Sequence, residues 1–352
     1  MKISIGSKLI EGPWGGGNLF IKNLTTFLLS KGHFVVEDLK DDDIDILLFT
    51  DPRSDKGSTS TFNHIDIKRY KKYMNPNAVV VQRINECDER KMTKGVNELY
   101  LKSSKVSNHI IFVSEWLRRL YIDLGISENN SSVILSGSDK EIFNRVGTTP
   151  YNKGSKIKIV THHWSSNKMK GMDVYNYLDY LSTTPKWSNV FQFTYIGNTS
   201  FEFKLENSVV KAPMEDIEIA AELKKNHLYV TGSVNEPSGN HHIEAAQCGL
   251  PILFLNSGGL VEYCRDYGLG FDNLIDFEVK LEEIINNYSV YKNKLKKYQL
   301  NSQTMSEEYE LLFFKLINET DKEVITNNFD RWIKKKFFLL IYSFKKIYYG
   351  FR

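Results

Sequence analysis

The chain has 352 residues, 41% hydrophobic and 25% charged, with a formal net charge of +3. That length favours two domains with a core each, and the composition excludes disordered, collagen-like and membrane-channel classes. The seven Lys and Arg of residues 331–352 stand without an acid, so the remainder is net acidic, which argues against a broad nucleic-acid-binding surface.

Short Val- and Ile-rich runs alternate with longer helical patterns. KISIG (2–6), FVVEDL (34–39), DILLFT (45–50), AVVVQRI (78–84), IIFVS (110–114) and SVILSG (132–137) read as strands. The stretch NLFIKNLTTFLLSKG sets Leu19, Phe20, Leu24, Phe27 and Leu28 on one helical face and stops at Gly32. Such alternation predicts a parallel sheet covered by helices on both faces. NRVGTTPYNKGS (144–155) has no apolar period and reads as a linker. The alternation then restarts with IKIVTHH (157–163), FQFTYIG (191–197), VVKAP (209–213), HLYVTGSV (227–234) and PILFL (251–255), and the chain is helical after about 275. The expected organisation is two doubly wound α/β domains, 1–148 and 149–305. A helix over 306–330 returns to the first domain, and a basic amphipathic tail covers 331–352. Two such sheets put their ligand-binding edges at the carboxyl ends of their strands, so a cleft between them is the expected site.

The N-terminal stretch MKISIG enters a strand directly, without the apolar core of a secretory signal. Cys87, Cys248 and Cys264 are far apart and lack C-x-x-C spacing. Together these predict a reduced, cytoplasmic protein without a disulfide framework or zinc knuckle.

Behind the first strand lies GPWGGGN (12–18). As a P-loop it fails, because Asn18 and Leu19 stand where Lys and Ser/Thr are needed. As a dinucleotide fingerprint it lacks the third glycine, where Phe20 stands, although Glu37 ends the second strand where a ribose-binding acid belongs. What remains is a loop that lets an anionic ligand approach a helix N-terminus.

VNEPSGNHHIEAAQCGLP (234–251) holds the strongest pattern. A strand ends near Val234, Pro237 and Gly239 break it, and a helix runs from about 240 to 248. Glu236 falls on the corner and Glu244 about one turn into the helix. Between them the amides of Ser238, Gly239 and Asn240 sit at the positive end of the helix dipole, where a diphosphate fits. A carboxylate on each flank accepts hydrogen bonds from hydroxyls on either side of the phosphates.

The order E-P-x-G, E-A-A, G-L-P, strand, then SGG at 257–259 resembles the donor site of the family 4-type retaining glycosyltransferases, enzymes of the two-domain GT-B fold. IIFVSEWLRRL with VILSGSDKEIF (110–143), KGMD (170–173) and FTYIGN extend the resemblance along the chain. It implies that Glu236 holds the donor sugar, Glu244 the ribose hydroxyls and Lys170 the diphosphate. It also implies that Gly16 and Gly17 let the first loop approach the donor, and that no metal or other cofactor is required. Lys211-Ala212-Pro213 is expected to border the base by position. The family's arginine ahead of the lysine is missing: Trp164 and Ser165 stand there, with Lys168 or His163 as candidates for the charge. In place of the family's histidine after the fourth strand stands QRINECDERK. Its Arg83, Asn85, Glu86, Asp88 and Arg90 are expected on the acceptor side.

The activity so implied is a hexosyltransferase-type transfer from a nucleotide-diphosphate sugar to a cell-envelope glycan or lipid-linked acceptor, in polysaccharide biosynthesis, with retention. A front-face transfer lets the leaving phosphate oxygen take the acceptor proton. Under inversion, Asp88 or Glu86 is the candidate base. The alternatives are a nicotinamide-dependent oxidoreductase and a non-catalytic sugar-nucleotide- or glycan-binding protein of the same fold.

Adjacent histidines at 162–163 and 241–242 point apart and do not suit a metal. DDDIDI (41–46) reads as a solvated turn. RWIKKKFFLLIYSFKKIYYGFR (331–352) mixes cations with aromatics. Its excess of charge favours contact with an anionic membrane surface, on the cytoplasmic face, over a final helix packed on the first domain.

Overall fold

The structure, a computed structural model, describes residues 1–10, 15–53, 58–199, 203–323 and 329–350, with side chains described to residue 344. Gly12, Pro13 and Trp14 of the glycine loop, residues 324–328, and residues 351–352 of the tail lie outside the described residues.

Two parallel sheets, six strands each among the described residues, form the fold. The first holds β1 (Lys2–Ile5), β2 (Phe34–Val36), β3 (Ile46–Phe49), β4 (Val79–Ile84), β5 (His109–Phe112) and β6 (Ser131–Val133), in the order β2-β1-β3-β4-β5-β6. The second holds β7 (Ile157–His163), β8 (Phe191–Gly197), β9 (Val209–Lys211), β10 (Leu228–Thr231), β11 (Ile252–Leu255) and β12 (Gly268–Phe271), in the order β12-β11-β10-β7-β8-β9. All six residues of β4 and all four of β3 are buried, which is why those strands read as unbroken apolar runs. The helices between them are α1 (Gly16–Ser30), α2 (His64–Tyr73), α3 (Asp88–Lys91), α4 (Val96–Ser104), α5 (Glu115–Asp123), α6 (Met172–Leu181), α7 (Asp216–Leu223), α8 (Asn240–Gln247), α9 (Leu260–Cys264), α10 (Leu274–Asn286) and α11 (Tyr288–Lys294). Strand order reverses between β1 and β3 in one sheet and between β7 and β10 in the other. Those two switch points are where doubly wound sheets bind ligands.

The chain then crosses back. A bridge joins Ser138 to Asn301, and α12 (Ser302–Glu319) buries Met305, Tyr309 and Phe313 against Phe20, Ile21 and Leu24 of α1. The final helix, α13 (Phe329–Gly350), packs on α2. Phe338 and Tyr342 are buried beside Tyr70, the Phe338 and Tyr70 rings meeting edge-on with centroids 6.0 Å apart. Arg331 Nη2 donates to the Met74 carbonyl at 2.8 Å, and Lys335 pairs with Asp42 of the DDDIDI turn. One face of the tail is therefore packed on the first domain, contrary to the preference for membrane contact alone. The reason is complementary charge and shape: the acids of 41–46 lie where the tail's lysine arrives. The opposite face leaves Trp332, Phe337, Leu340 and Phe344 exposed.

Several strands end earlier than expected, most of all the second at Val36 rather than 39, the sixth at Val133 rather than 137 and the tenth at Thr231 rather than 234. β12 was not expected at all: Gly-Leu-Gly-Phe carries no apolar run, and it is a short edge strand paired only to β11.

Phe338→Ala is expected to lower unfolding stability by about 3 kcal/mol, the cost of a large buried aromatic. Phe337→Ala, on the exposed face, is expected to stay within about 0.5 kcal/mol. Denaturant midpoints of the two variants test this, and equal losses would show that α13 is not anchored by that face.

Candidate functional site

A cleft of about 1150 Å³ lies between the two sheets, at the carboxyl ends of their strands. Its lining includes Gly16, Gly17, Arg83, Asn85 and Glu86 from the first domain and Lys170, Glu236, Ser238, Gly239, Asn240 and Glu244 from the second. These eleven residues were expected at the site from sequence. The chain brings them together because they lie at or just beyond the carboxyl ends of strands, or in the first turns of the helices that follow.

The second-domain wall is built from two turns. After β10 the chain bends through Asn235, at φ +50, and Glu236 before α8 starts at Asn240. Ser238, Gly239 and Asn240 therefore present their amides at the positive end of that helix. The other turn is Lys168–Lys170, closed by Gly171 at φ +93. A Cβ on Gly171 would run into the Gly232 backbone, 2.6 Å from its Cα. That close passage under the end of β10 carries Lys170 up to Glu236.

Glu236 is 3% exposed and meets a cation at each oxygen. Lys170 Nζ bonds Oε2. Arg90 Nε, from α3 of the first domain, lies 3.1 Å from Oε1, an ion-pair distance without a well-aligned N–H bond. Burial alone would raise the Glu236 carboxyl, but Lys170 and Arg90 outweigh it and hold it down at about 2. Burial pushes the Lys170 ammonium down from its ordinary value, with Glu236 opposing that. Glu86 sits behind, 3.1 Å from Arg90 Nη1 and 3.0 Å from Lys91 Nζ. Beside this contact, Asn235 Nδ2 donates to the Glu89 carbonyl at 3.3 Å.

Glu244 is 5% exposed and its Oε2 lies 2.8 Å from His162 Nε2. The other nitrogen of that ring, Nδ1, is buried with no hydrogen-bond partner among the described residues. His163 meets the Tyr175 hydroxyl at 2.5 Å and His241 meets Thr231 Oγ1 at 3.1 Å. Burial first, then nearby Lys170 for His163 and His163 for His241, push both rings well below their ordinary value, so both are neutral at pH 7. Further along, Ile196, Pro213, Met214 and Ile219 line an apolar stretch of the cleft. On the first-domain side the glycine loop comes close: a Cβ on Gly16 would stand 3.3 Å from the Asn240 side chain.

Two expected site residues are placed elsewhere. Asp88 does not line the cleft. Its Oδ1 accepts from Thr93 Oγ1 at 2.9 Å and Val96 N at 3.1 Å, and its Oδ2 from Asn97 N at 3.0 Å. Burial alone would raise its carboxyl, but those donors hold it below the ordinary range. It braces the turn between α3 and α4 and is not placed to take a proton in the cleft. Lys168 is exposed and outside the lining, so it does not replace the missing arginine, and neutral His163 does not either. Sequence reasoning placed Arg90 on the acceptor side and missed that it reaches Glu236. It also missed the His162–Glu244 pair; the signal for it was a histidine at the carboxyl end of a strand beside a switch point.

Glu37 is exposed beyond the end of β2 and away from the cleft, while Phe20 is buried under Tyr309, with ring centroids 5.2 Å apart. A dinucleotide site in the first domain therefore has neither its acid nor its third glycine. Among the described residues no group of three or more His, Cys, Asp or Glu side chains is arranged to hold a metal ion.

No protein-family model and no curated protein sequence matches the chain. Solved structures do. A sucrose-phosphate synthase from Thermosynechococcus elongatus aligns with 91% of this chain and 100% of its own, at 12% identity and a TM-score of 0.66. A glycosyltransferase from Rickettsia africae covers 91% and 99%, at 14% identity and 0.62. Anabaena HepE, in complex with UDP and glucose, covers 90% and 98%, at 13% identity and 0.59. At these identities the likeness establishes the architecture, which is the GT-B fold.

Glu236 is held at about 2, below its unfolded value near 4.5, so its contribution to stability is full above pH 4.5 and lost as pH falls toward 2. The unfolding free energy is expected to drop by on the order of 3 kcal/mol across that window through this group. Glu236→Gln, already less stable at pH 7 by about 3 kcal/mol because two cations lose their partner, is expected to lack that drop. Urea titrations at stepped pH check it, and identical acid limbs in both proteins would contradict the charged cluster.

Proposed function

We propose that the protein is a glycosyltransferase that moves a sugar from a nucleotide-diphosphate donor to a glycan or lipid-linked acceptor, with retention of anomeric configuration. One observation carries this reading: Glu236 and Glu244 flank the N-terminus of α8 in one inter-domain cleft, with Lys170 beside them. The amides of 238–240 and Lys170 receive the diphosphate. Glu244, fixed by His162, accepts from the ribose hydroxyls, and the base lies along Ile196, Pro213, Met214 and Ile219. Glu236 accepts from sugar hydroxyls. That the Anabaena neighbour is in complex with UDP and glucose supports a donor of this class.

In the transfer the anomeric C–O bond to the diphosphate breaks and a bond to the acceptor oxygen forms. The acceptor proton passes to the departing diphosphate oxygen, leaving glycoside and nucleoside diphosphate. A carboxyl held at about 2 is a poor proton acceptor, so Glu236 binds and stabilises positive charge on the sugar ring rather than acting as a base. Arg83, Asn85 and Glu86 line the opposite wall, and on this reading they form the acceptor side.

The exposed face of α13 is read as a docking face for an anionic membrane. Trp332, Phe337, Leu340 and Phe344 are exposed beside Lys334 and Lys336. An amphipathic helix of this kind lies in the interface with its apolar face in the acyl boundary. No helix among the described residues is long and apolar enough to cross a membrane. A lipid-linked acceptor would be presented at such a surface.

Thermal-shift measurements with UDP, GDP, ADP and NAD test the donor class. One nucleoside diphosphate is expected to stabilise the protein and NAD is not; stabilisation by NAD alone would favour an oxidoreductase. Glu236→Ala is expected to cut transfer by at least about 100-fold while the protein still folds, and wild-type turnover would remove its role. Phe337→Glu with Leu340→Glu is expected to abolish co-flotation with phosphatidylserine-containing vesicles while leaving the Phe338 and Tyr342 anchor intact. Undiminished flotation would place membrane contact elsewhere.

A further inference from the structure

A diphosphate brings about two negative charges into the cleft beside buried groups, and a single buried cation does not compensate them. Among the described residues the second domain places only Lys170 against the α8 corner, since Lys168 is exposed and His163 is neutral. Other cations line the cleft: Lys22 faces Asp216, Arg53 faces Asp51 and Lys91 faces Glu86, while Arg83 lies over the Phe20 ring, its carbon 4.0 Å from the centroid and its Nη1 without a hydrogen-bond partner among the described residues. Arg90 differs from these. It shares one carboxylate with Lys170, across the domain boundary.

We propose that Arg90 is the second cation of the diphosphate site, supplied in trans by the first domain: on donor binding, Arg90 and Lys170 exchange Glu236 for the diphosphate, and the released carboxylate turns to the sugar hydroxyls. The proposal rests on the nucleotide-sugar reading above. Three features carry it. The ion-paired cluster sets three cations, Lys170, Arg90 and Lys91, against two carboxylates, Glu236 and Glu86. The Arg90 Nε–H is close to Glu236 at 3.1 Å but poorly aligned, so the contact is an ion pair without a directed hydrogen bond, which a phosphate oxygen in better line can supply. A guanidinium grips phosphate with the same planar fork that it offers a carboxylate.

The exchange also decides what Glu236 can do. With a cation on each oxygen it is a weak acceptor for neutral hydroxyls, and with the cations moved to the diphosphate it is free to grip them. Sugar binding is thereby tied to diphosphate binding. Asp88 takes part as a positioning residue: its bonds to Thr93, Val96 and Asn97 fix the turn that aims Arg90. Because Arg90 sits on the first domain and Lys170 on the second, a bound diphosphate also joins the two domains.

The test is calorimetric binding of UDP, GDP and ADP and of the matching monophosphates to the full chain and to Arg90→Ala, Arg90→Lys and Glu236→Gln. Arg90→Ala is expected to weaken the preferred diphosphate by roughly 10- to 100-fold and to leave its monophosphate within about threefold. Arg90→Lys is expected to fall between, and Glu236→Gln to bind the diphosphate more tightly, because the competing anion is gone. Unchanged diphosphate affinity in Arg90→Ala overturns the exchange and leaves the nucleotide-sugar reading standing. Should that variant not fold, weaker or unchanged diphosphate binding by Glu236→Gln overturns it equally. Absence of any diphosphate binding by the wild type removes both.

Discussion

The structure turns on one buried carboxylate. Glu236 is enclosed between a lysine of its own domain and an arginine of the other, and a charge so deep in protein persists only with such company. Ion pairs of this kind add little stability over an apolar core. Much of the local backbone serves the cluster. Gly171 passes under β10 to deliver Lys170, Asp88 braces the turn that delivers Arg90, and the bend at Asn235 turns the carboxylate toward both.

The two sheets explain how residues so distant in sequence converge. In each, the strand order reverses beside the first strand, and the loops leaving neighbouring strands part to either side. One switch point presents the ends of β1 and β3 and the other those of β7 and β10. The cleft closes over both because the chain returns: α12 buries three large side chains on α1 after the second sheet is complete. Tyr263 adds a second tie, donating to the Val113 carbonyl at 2.5 Å and accepting from Ser136 N at 2.8 Å.

Local features were readable in the sequence and relational ones were not. The strand, corner and helix that carry Glu236 and Glu244 lie within a short stretch, so turn residues and apolar period suffice to place them. The same holds for Gly16, Gly17 and Lys170, each of which follows a strand or opens a helix. Arg90 and Lys168 show the limit. Both are cations near the right strand ends, and only the packing of one domain on the other decides which reaches the carboxylate. Asp88 shows it too: an acid after an apolar strand reads as a cleft residue until its three donors are seen. β12 escaped because alternating glycine erases the hydrophobic signal of an edge strand. The tail's composition announced an amphipathic helix but not that one of its faces would find α2.

The charge distribution also bears on where the acceptor's proton goes. Glu236 is a weak base while Lys170 and Arg90 hold it and is engaged by sugar hydroxyls on the proposed exchange, Glu86 is tied to Arg90 and Lys91, and Asp88 points away. The carboxylates around the α8 corner are thus spent on holding cations or hydroxyls. On the proposed reading those cations gather where the diphosphate leaves and stabilise negative charge as it develops there. A leaving oxygen so stabilised is a poorer base than one in water, yet it is the one group that must stand next to the incoming hydroxyl on the same face of the sugar. Proximity then does the work that basicity does not, since proton transfer between held neighbours avoids the entropy of encounter. On the proposed reading such a cleft suits transfer with retention, whereas inversion would require a free base on the opposite face.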